Sequence, residues 1–128
     1  MSADLRTPIK IAQGLGSAKH GVHHFMVQRI TAVALIGLCL WAVWIALAML
    51  QTDYAGAHAL IARPFNAVLM LAFIVAMFWH TQLGLQVVIE DYVHARGIEL
   101  TLQIAVKFIC FLGAAASALA VIRIVLGR

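Results

Sequence analysis

Three long apolar stretches, separated by short polar segments, occupy most of the chain after its N-terminal segment. Strong charges are absent from residues 30–52, 64–89 and 108–122. The third stretch extends back to Leu100 if Lys107 turns its amine towards the nearer membrane surface. Because about 20 residues of α-helix cross the hydrocarbon core of a bilayer, each stretch is long enough to span it. The pattern predicts an all-α integral membrane protein with three transmembrane helices.

Polar and helix-terminating residues set the expected helix boundaries. The three helices are expected at about residues 23–50, 65–90 and 100–126. Pro64 suits the first turn of the second helix, where its missing N–H leaves no hydrogen bond unmade. Gly113 and Ser117 stand four residues apart in the third helix and predict a face that packs closely on a neighbour. Residues 51–63 and 91–99 then become loops on opposite sides of the membrane.

The N-terminal segment, residues 1–22, differs from the rest of the chain. It is basic and contains three glycines before any apolar core begins, which argues against a cleavable signal peptide. Because it has no sustained periodicity, we expect an irregular or short interfacial segment on the cytoplasmic side. The 128 residues are expected to form a single membrane domain.

Composition and charge narrow the class and set the expected orientation. With 64% hydrophobic and 11% charged residues, the chain differs from a soluble domain, in which about 25% of residues are charged. An inside N-terminus leaves three basic residues outside, namely Arg63, Arg123 and Arg128. It places six inside, namely Arg6, Lys10, Lys19, Arg29, Arg96 and Lys107. The positive-inside rule therefore favours N-in and C-out, and such dispersed charges do not suggest nucleic-acid binding.

His80 is the only ionisable side chain between Arg63 and Glu90. An imidazole at membrane depth is costly unless it is compensated, so it indicates a functional site. Gly84 removes the side chain beside His80 on the same helix face, which would suit a flat macrocycle. Zinc would need three or four ligands, whereas haem needs one or two, of which a second would come from another subunit. The alternative is a structural histidine that is hydrogen-bonded to a neighbouring helix.

Asp91 and Tyr92 follow His80 on the same predicted helix, at its inner end. Eleven helical steps of about 100° place Asp91 almost directly above His80, roughly 16 Å along the axis. A phenolic O–H can donate to a carbonyl oxygen, and a neighbouring carboxylate can orient the phenol or relay protons. The pair therefore suits an amphiphilic ligand such as a quinone. Loop polarity together with an interfacial tyrosine is the alternative interpretation.

Arg29, preceded by His23 and His24, begins the first helix on the same inner side. One interpretation is a cationic anchor that follows the positive-inside rule. The other is a cation that meets the carboxylates of a haem whose propionates point inward.

Two segments together resemble a known family. They are GVHHFMVQRITAVAL at residues 21–35 and the motif H-x3-G-x-Q-x4-D-Y that starts at His80. They are similar to the hydrophobic membrane anchor subunits of bacterial succinate dehydrogenase (complex II), and the similarity covers essentially the whole chain. The resemblance implies half of a heterodimeric helical bundle in the bacterial inner membrane. It also implies a subunit of succinate:ubiquinone oxidoreductase that catalyses nothing alone.

The resemblance also implies roles for individual residues and partners. His80 matches the axial ligand of the haem b iron, and the haem would be shared with a second membrane anchor subunit. Asp91 and Tyr92 match the ubiquinone-site pair, and His23 and Arg29 match residues near the haem propionates. FAD and iron–sulfur clusters would belong to a flavoprotein and an iron–sulfur subunit. This chain would hold neither of them.

Three other functions are alternatives to this one. A fumarate reductase anchor would have the same architecture in an enzyme that runs the reaction in reverse. The sequence is compatible with either direction. A small transporter or channel subunit would need polar residues lining a path through all three spans, and the first span offers almost none. A structural assembly factor would give no reason for His80, Asp91 and Tyr92 to align.

Overall fold

The computed structural model describes residues 21–127, so the expectation for residues 1–20 lies outside the described residues. Within this range the chain forms four α-helices and no strand. The helices are α1 (Gly21–Met49), α2 (Tyr54–Ala62), α3 (Pro64–Tyr92) and α4 (Arg96–Val125). Three of them, α1, α3 and α4, are long and apolar enough to cross a membrane. The predicted all-α architecture with three spans is confirmed.

The three long helices exceed the hydrocarbon thickness of a bilayer. They contain 29, 29 and 30 residues, which at about 1.5 Å per residue gives lengths of about 43–45 Å. A hydrocarbon core of about 30 Å leaves roughly two turns of each helix in the headgroup regions. Residues at the helix ends, including Asp91 and Tyr92 at the end of α3, therefore lie at interfacial depth.

The central helix of the fold is α3. It packs against α1 on one side and against α4 on the other, and no direct α1–α4 contact occurs within residues 21–127. The α3–α4 core contains Ala67, Ile74 and Val121. Gly113 on α4 lies against Phe78 on α3, where a Cβ atom would come within 2.6 Å of the aromatic ring. The close-packing face predicted at Gly113 is confirmed.

The expected loop at residues 51–63 contains a helix, α2, which is a correction to the prediction. Asp53 starts this helix because its Oδ1 accepts a hydrogen bond from the Gly56 N–H at 2.8 Å. Arg63 ends it in an extended conformation, which is the conformation that a following proline favours. Asn66 then ties α2 to α3 by donating from Nδ2 to the Leu60 carbonyl at 2.8 Å.

The second connection is shorter than the predicted loop at residues 91–99. Asp91 and Tyr92 are the last residues of α3, and α4 begins at Arg96, so only residues 93–95 connect the two helices. Val93 N–H still donates to the Ile89 carbonyl at 2.9 Å, which extends helical hydrogen bonding to the end of α3. His80 and Asp91 therefore belong to one uninterrupted helix.

Candidate functional site

His80 lies two residues from the midpoint of α3, half-buried on the side that faces α1. Its Nδ1 is 3.0 Å from the Thr31 hydroxyl oxygen. Its Nε2 is 3.4 Å from the Nε2 atom of Gln28. Both ring nitrogens of this mid-span histidine thus face polar side chains of the neighbouring helix, which matches the structural alternative. These contacts are also compatible with a metal-ligating role, because ligation would use only one of the two nitrogens.

A polar seam, defined as His24, Gln28 and Thr31 on α1 with His80 and Gly84 on α3, includes the two side chains that contact His80, those of Gln28 and Thr31. The three α1 residues follow spacings of four and three, which places them within about 60° on one helix face. Within the described part of the chain, Gln28 Oε1 and His24 Nε2 are buried without hydrogen-bond partners. The seam therefore has hydrogen-bonding capacity that the described residues leave unused.

Gln28 and Thr31 lie in the family-like segment at residues 21–35, but no role was predicted for either. They are two of the polar residues at the N-terminal end of an otherwise apolar span, separated by three positions. That spacing, with His24 one turn earlier, could have indicated a polar face on α1. The side chain of Gln28 also occupies the space beside Gly84, where a Cβ atom would lie 3.7 Å from Gln28 Nε2.

The side chains near His80 indicate which kind of metal-containing group this histidine could bind. Among residues 21–127, no three histidine, cysteine, aspartate or glutamate side chains lie close enough to hold a metal ion. A group that takes one ligand from this chain fits the seam better than an ion that needs three or four. The Gln28 amide faces Nε2 through a long contact, and its oxygen has no partner, so little holds this side chain in place.

Asp91 and Tyr92 are exposed in the last turn of α3, and Tyr92 has 79% of its surface accessible. Since α3 is continuous, the predicted alignment of Asp91 with His80 at roughly 16 Å applies to this helix. The structure does not bring Asp91 and Tyr92 into contact with the polar seam. They lie at the C-terminal end of the helix that carries His80, and both side chains are exposed.

An unpredicted polar network joins the C-terminal end of α3 to the N-terminal end of α4. Glu90 accepts from Gln86 Nε2 at 2.8 Å and from Gln103 Nε2 at 3.5 Å. Gln103 also donates to Glu99 at 3.2 Å. These bonds stabilise the helix ends next to Tyr92. A neighbouring open pocket of about 490 Å³ is lined by His94, Arg96, Glu99, Leu100 and Gln103.

His23 and Arg29 are exposed on α1 and do not face His80. The Arg29 guanidinium lies over the Phe25 ring, 5.0 Å from its centroid, at the distance of a cation–π interaction. His24, rather than His23, takes part in the polar seam. Any group that contacts His23 and Arg29 must approach α1 from outside this three-helix layer.

Three membrane-length helices with a polar seam and an exposed Asp-Tyr pair define a multi-pass helical membrane protein with a candidate cofactor site. Residues 3–114 match the family described as succinate dehydrogenase/fumarate reductase transmembrane subunit. The chain belongs to this family, among the succinate dehydrogenase hydrophobic membrane anchor subunits.

Relatives cover most of the chain. The succinate dehydrogenase hydrophobic membrane anchor subunit of Rickettsia bellii is 39% identical over 112 residues, which are 88% of this chain and 90% of the relative. That of Rickettsia typhi is 32% identical with the same coverage of both chains. That of Paracoccus denitrificans is 31% identical over 86 residues, 67% of each chain. No solved structure gives a significant match.

Proposed function

We propose that this chain is the hydrophobic membrane anchor of a bacterial succinate:ubiquinone oxidoreductase. The complex would also contain a second membrane anchor subunit, an iron–sulfur subunit and a flavoprotein. The flavoprotein would oxidise succinate to fumarate at its FAD, which releases two electrons and two protons. The iron–sulfur subunit would conduct the electrons to the membrane, where ubiquinone takes up two electrons and two protons to become ubiquinol.

The observation that carries this proposal is the position of His80. It lies within two residues of the midpoint of a membrane-length helix, and it faces the polar side chains of Gln28 and Thr31. The same helix ends in Asp91 and Tyr92, both exposed. A single helix would thus carry a ligand site at depth and a head-group site at the membrane surface.

His80 is the residue that would hold haem b, through Nε2 to the iron. The Gln28 side chain would move aside, and its weak contact with His80 supports that expectation. Haem b, when bound, would supply a one-electron carrier near the quinone site. His23 and Arg29 are exposed on α1, where they could meet the propionates of a group shared with the second anchor subunit.

Tyr92 would donate its phenolic hydrogen to a carbonyl oxygen of ubiquinone, and Asp91 would orient the phenol or relay a proton. The exposure of both side chains supports this role, because the quinone head must reach them from the membrane surface. The isoprenoid tail would remain in lipid. This chain would therefore position the quinone, while the partner subunits deliver the electrons.

The relatives support the proposed direction of the reaction and the proposed partners. The family description covers succinate dehydrogenase and fumarate reductase, and the three relatives from Rickettsia and Paracoccus are succinate dehydrogenase subunits. Succinate oxidation is therefore the proposed direction. The term anchor subunit in their names supports assembly with the other subunits of that enzyme in the bacterial inner membrane.

The test is a haem spectrum of the complex purified from cells that co-express this chain with its partners. The complex with the native chain should give a b-type signal when it is reduced with dithionite. His80→Ala should weaken or remove that signal while the chain still inserts into the membrane. His58→Ala, which removes a histidine from the short helix α2, is the matched control and should leave the signal unchanged.

The proposal fails if the complex lacks haem, or if His80→Ala keeps an unchanged low-spin spectrum. The first result would remove the haem-ligating role from this anchor subunit. The second would leave His80 as a structural histidine bonded to α1.

A further inference from the structure

The Thr31 hydroxyl lies close to three polar atoms. The backbone carbonyl oxygens of Val27 and Gln28 are 2.9 Å and 3.1 Å from Oγ1. His80 Nδ1, which belongs to the neighbouring helix, is 3.0 Å from the same oxygen. Thr31 is thus the polar contact through which α1 reaches the Nδ1 atom of the mid-span histidine.

The donors and acceptors in this cluster indicate how its hydrogens are arranged. A threonine hydroxyl has one hydrogen and two acceptor positions, and a carbonyl oxygen can only accept. The Thr31 hydroxyl is placed to donate to two carbonyls of its own helix, and donation of this kind is common for threonine in helices. Its oxygen is then free to accept from His80 Nδ1–H.

With the Thr31 hydrogen on its own helix, His80 Nδ1 is the donor in the Thr31 contact. A neutral imidazole has one N–H, so an Nδ1–H leaves Nε2 with an unshared electron pair. The Gln28 amide nitrogen, which can only donate, faces that Nε2 at 3.4 Å. Both contacts of the ring are satisfied by the same tautomer.

We infer that Thr31 is a positioning residue that fixes the tautomer and ring orientation of His80 and so directs its Nε2 electron pair to the haem iron. The inference rests on the proposed haem ligation by His80. Residues that hydrogen-bond the second nitrogen of a ligating histidine fix its orientation and raise its basicity. Thr31 would therefore strengthen haem binding and stabilise the oxidised iron.

The experiment removes this hydroxyl in the co-expressed complex. Thr31→Val keeps the branched shape and deletes the hydrogen-bond acceptor. Haem affinity should fall by about 10- to 100-fold, and the midpoint potential of the haem should shift to a more positive value. Thr31→Ser keeps the hydroxyl and should restore both quantities. Thr31→Ala, which suits a helix, provides the same measurement if the valine variant assembles poorly.

Thr101→Val is the matched control. The Thr101 hydroxyl also donates to a carbonyl one turn earlier, that of Gly97 at 2.8 Å, and contacts no imidazole in the described structure. This substitution should leave the haem affinity and potential unchanged. If Thr31→Val and Thr101→Val both change the haem affinity and potential, the effect comes from a general perturbation of the helices and the inference is overturned.

The inference is also overturned if Thr31→Val retains the native potential and affinity, or if Thr31→Ser behaves like Thr31→Val. His80→Ala is measured alongside. If haem binding depends on His80 but not on Thr31, only this inference fails and the proposed ligation stands. Haem that does not depend on His80 defeats the proposed ligation, and this inference with it.

Discussion

At membrane depth a polar side chain needs a partner within the protein, because lipid supplies none. His80 has two such partners on α1, Gln28 and Thr31, so its imidazole is compensated even in this chain alone. Thr31 contacts Nδ1, whereas Gln28 contacts Nε2, the atom that iron would bind. The Thr31 contact reduces the cost of burying His80 and leaves Nε2 for a metal, whereas the Gln28 contact would have to be given up.

Tyr92→Phe tests the proposed head-group site because it keeps the aromatic ring and removes only the hydroxyl. Losing a hydrogen bond of about 1–3 kcal/mol should lower succinate–ubiquinone turnover by roughly 5- to 150-fold if the bond is fully expressed in binding or the transition state. Succinate oxidation with an artificial acceptor that bypasses the quinone site should persist. Both activities are measured on the purified complex.

Tyr54→Phe is the matched control for that substitution. The chain has two tyrosines, and Tyr54 is exposed on α2, at the opposite end of the spans from Tyr92. It should leave both activities unchanged. If Tyr92→Phe also leaves quinone turnover unchanged, Tyr92 is an interfacial aromatic residue. If both activities fall together, the defect lies in assembly.

His80 was predictable from the sequence because no other ionisable residue accompanies it in its span. The roles of Thr31 and Gln28 were not, because they depend on how α1 is rotated against α3. Threonine and glutamine near a span end are common, and only the packed pair of helices shows which of them faces His80. The residue type predicts the capacity to bond, whereas the partner is set by tertiary packing.

At the scale of helices, the long spans were predictable and the short helix was not. Each span has a sustained apolar composition that alone decides its location. Helix α2 depends on the Asp53 side chain, which caps its first turn, and on Asn66, which binds its last. Such local bonds stabilise a nine-residue helix that has no buried residue of its own. The hydropathy of the sequence does not predict these hydrogen bonds.

Gly113→Ala tests the packing of α4 on α3. A Cβ atom at this position would lie 2.6 Å from the Phe78 ring, and overpacking of this kind costs about 1–3 kcal/mol. The temperature at which half of the detergent-solubilised chain aggregates should therefore fall. Gly37→Ala is the control, since it makes the same change within a long helix and meets nothing within 4 Å.

Comparing the two glycines separates steric effects from helix propensity. Alanine favours a helix over glycine by about 1 kcal/mol at either position, so that gain cancels in the comparison. Equal aggregation temperatures for Gly113→Ala and Gly37→Ala would mean that Phe78 moves freely and that the α3–α4 contact is loose.

The whole chain is an open layer of helices rather than a closed bundle. Only seven apolar residues are buried within residues 21–127, because α1 and α4 both pack on α3 and not on each other. Most of the apolar surface is left for lipid or for other subunits. Such a layer cannot enclose a cofactor alone, which agrees with the proposal that a second anchor subunit completes the haem and quinone sites.

The orientation of this layer decides whether the proposed quinone site faces the soluble subunits. The charge distribution predicts that the connection at residues 93–95 is cytoplasmic and that residues 50–53 lie outside. Two single-cysteine variants, Gln51→Cys and Ala95→Cys, can test this orientation. Each is made in a chain in which Cys39 and Cys110 are replaced by alanine. Both positions are exposed. A membrane-impermeant maleimide should label Gln51→Cys in spheroplasts and Ala95→Cys only after the membrane is opened.

The reverse labelling pattern would contradict more than the topology. It would place Asp91 and Tyr92 at the outer surface, because they end the helix that leads to Ala95. A cytoplasmic iron–sulfur subunit could not deliver electrons to a quinone bound there, whereas His80 near mid-span would remain accessible to haem from either side. The labelling experiment therefore tests the quinone-site proposal independently of the haem proposal, and Ala95→Cys is the position that decides it.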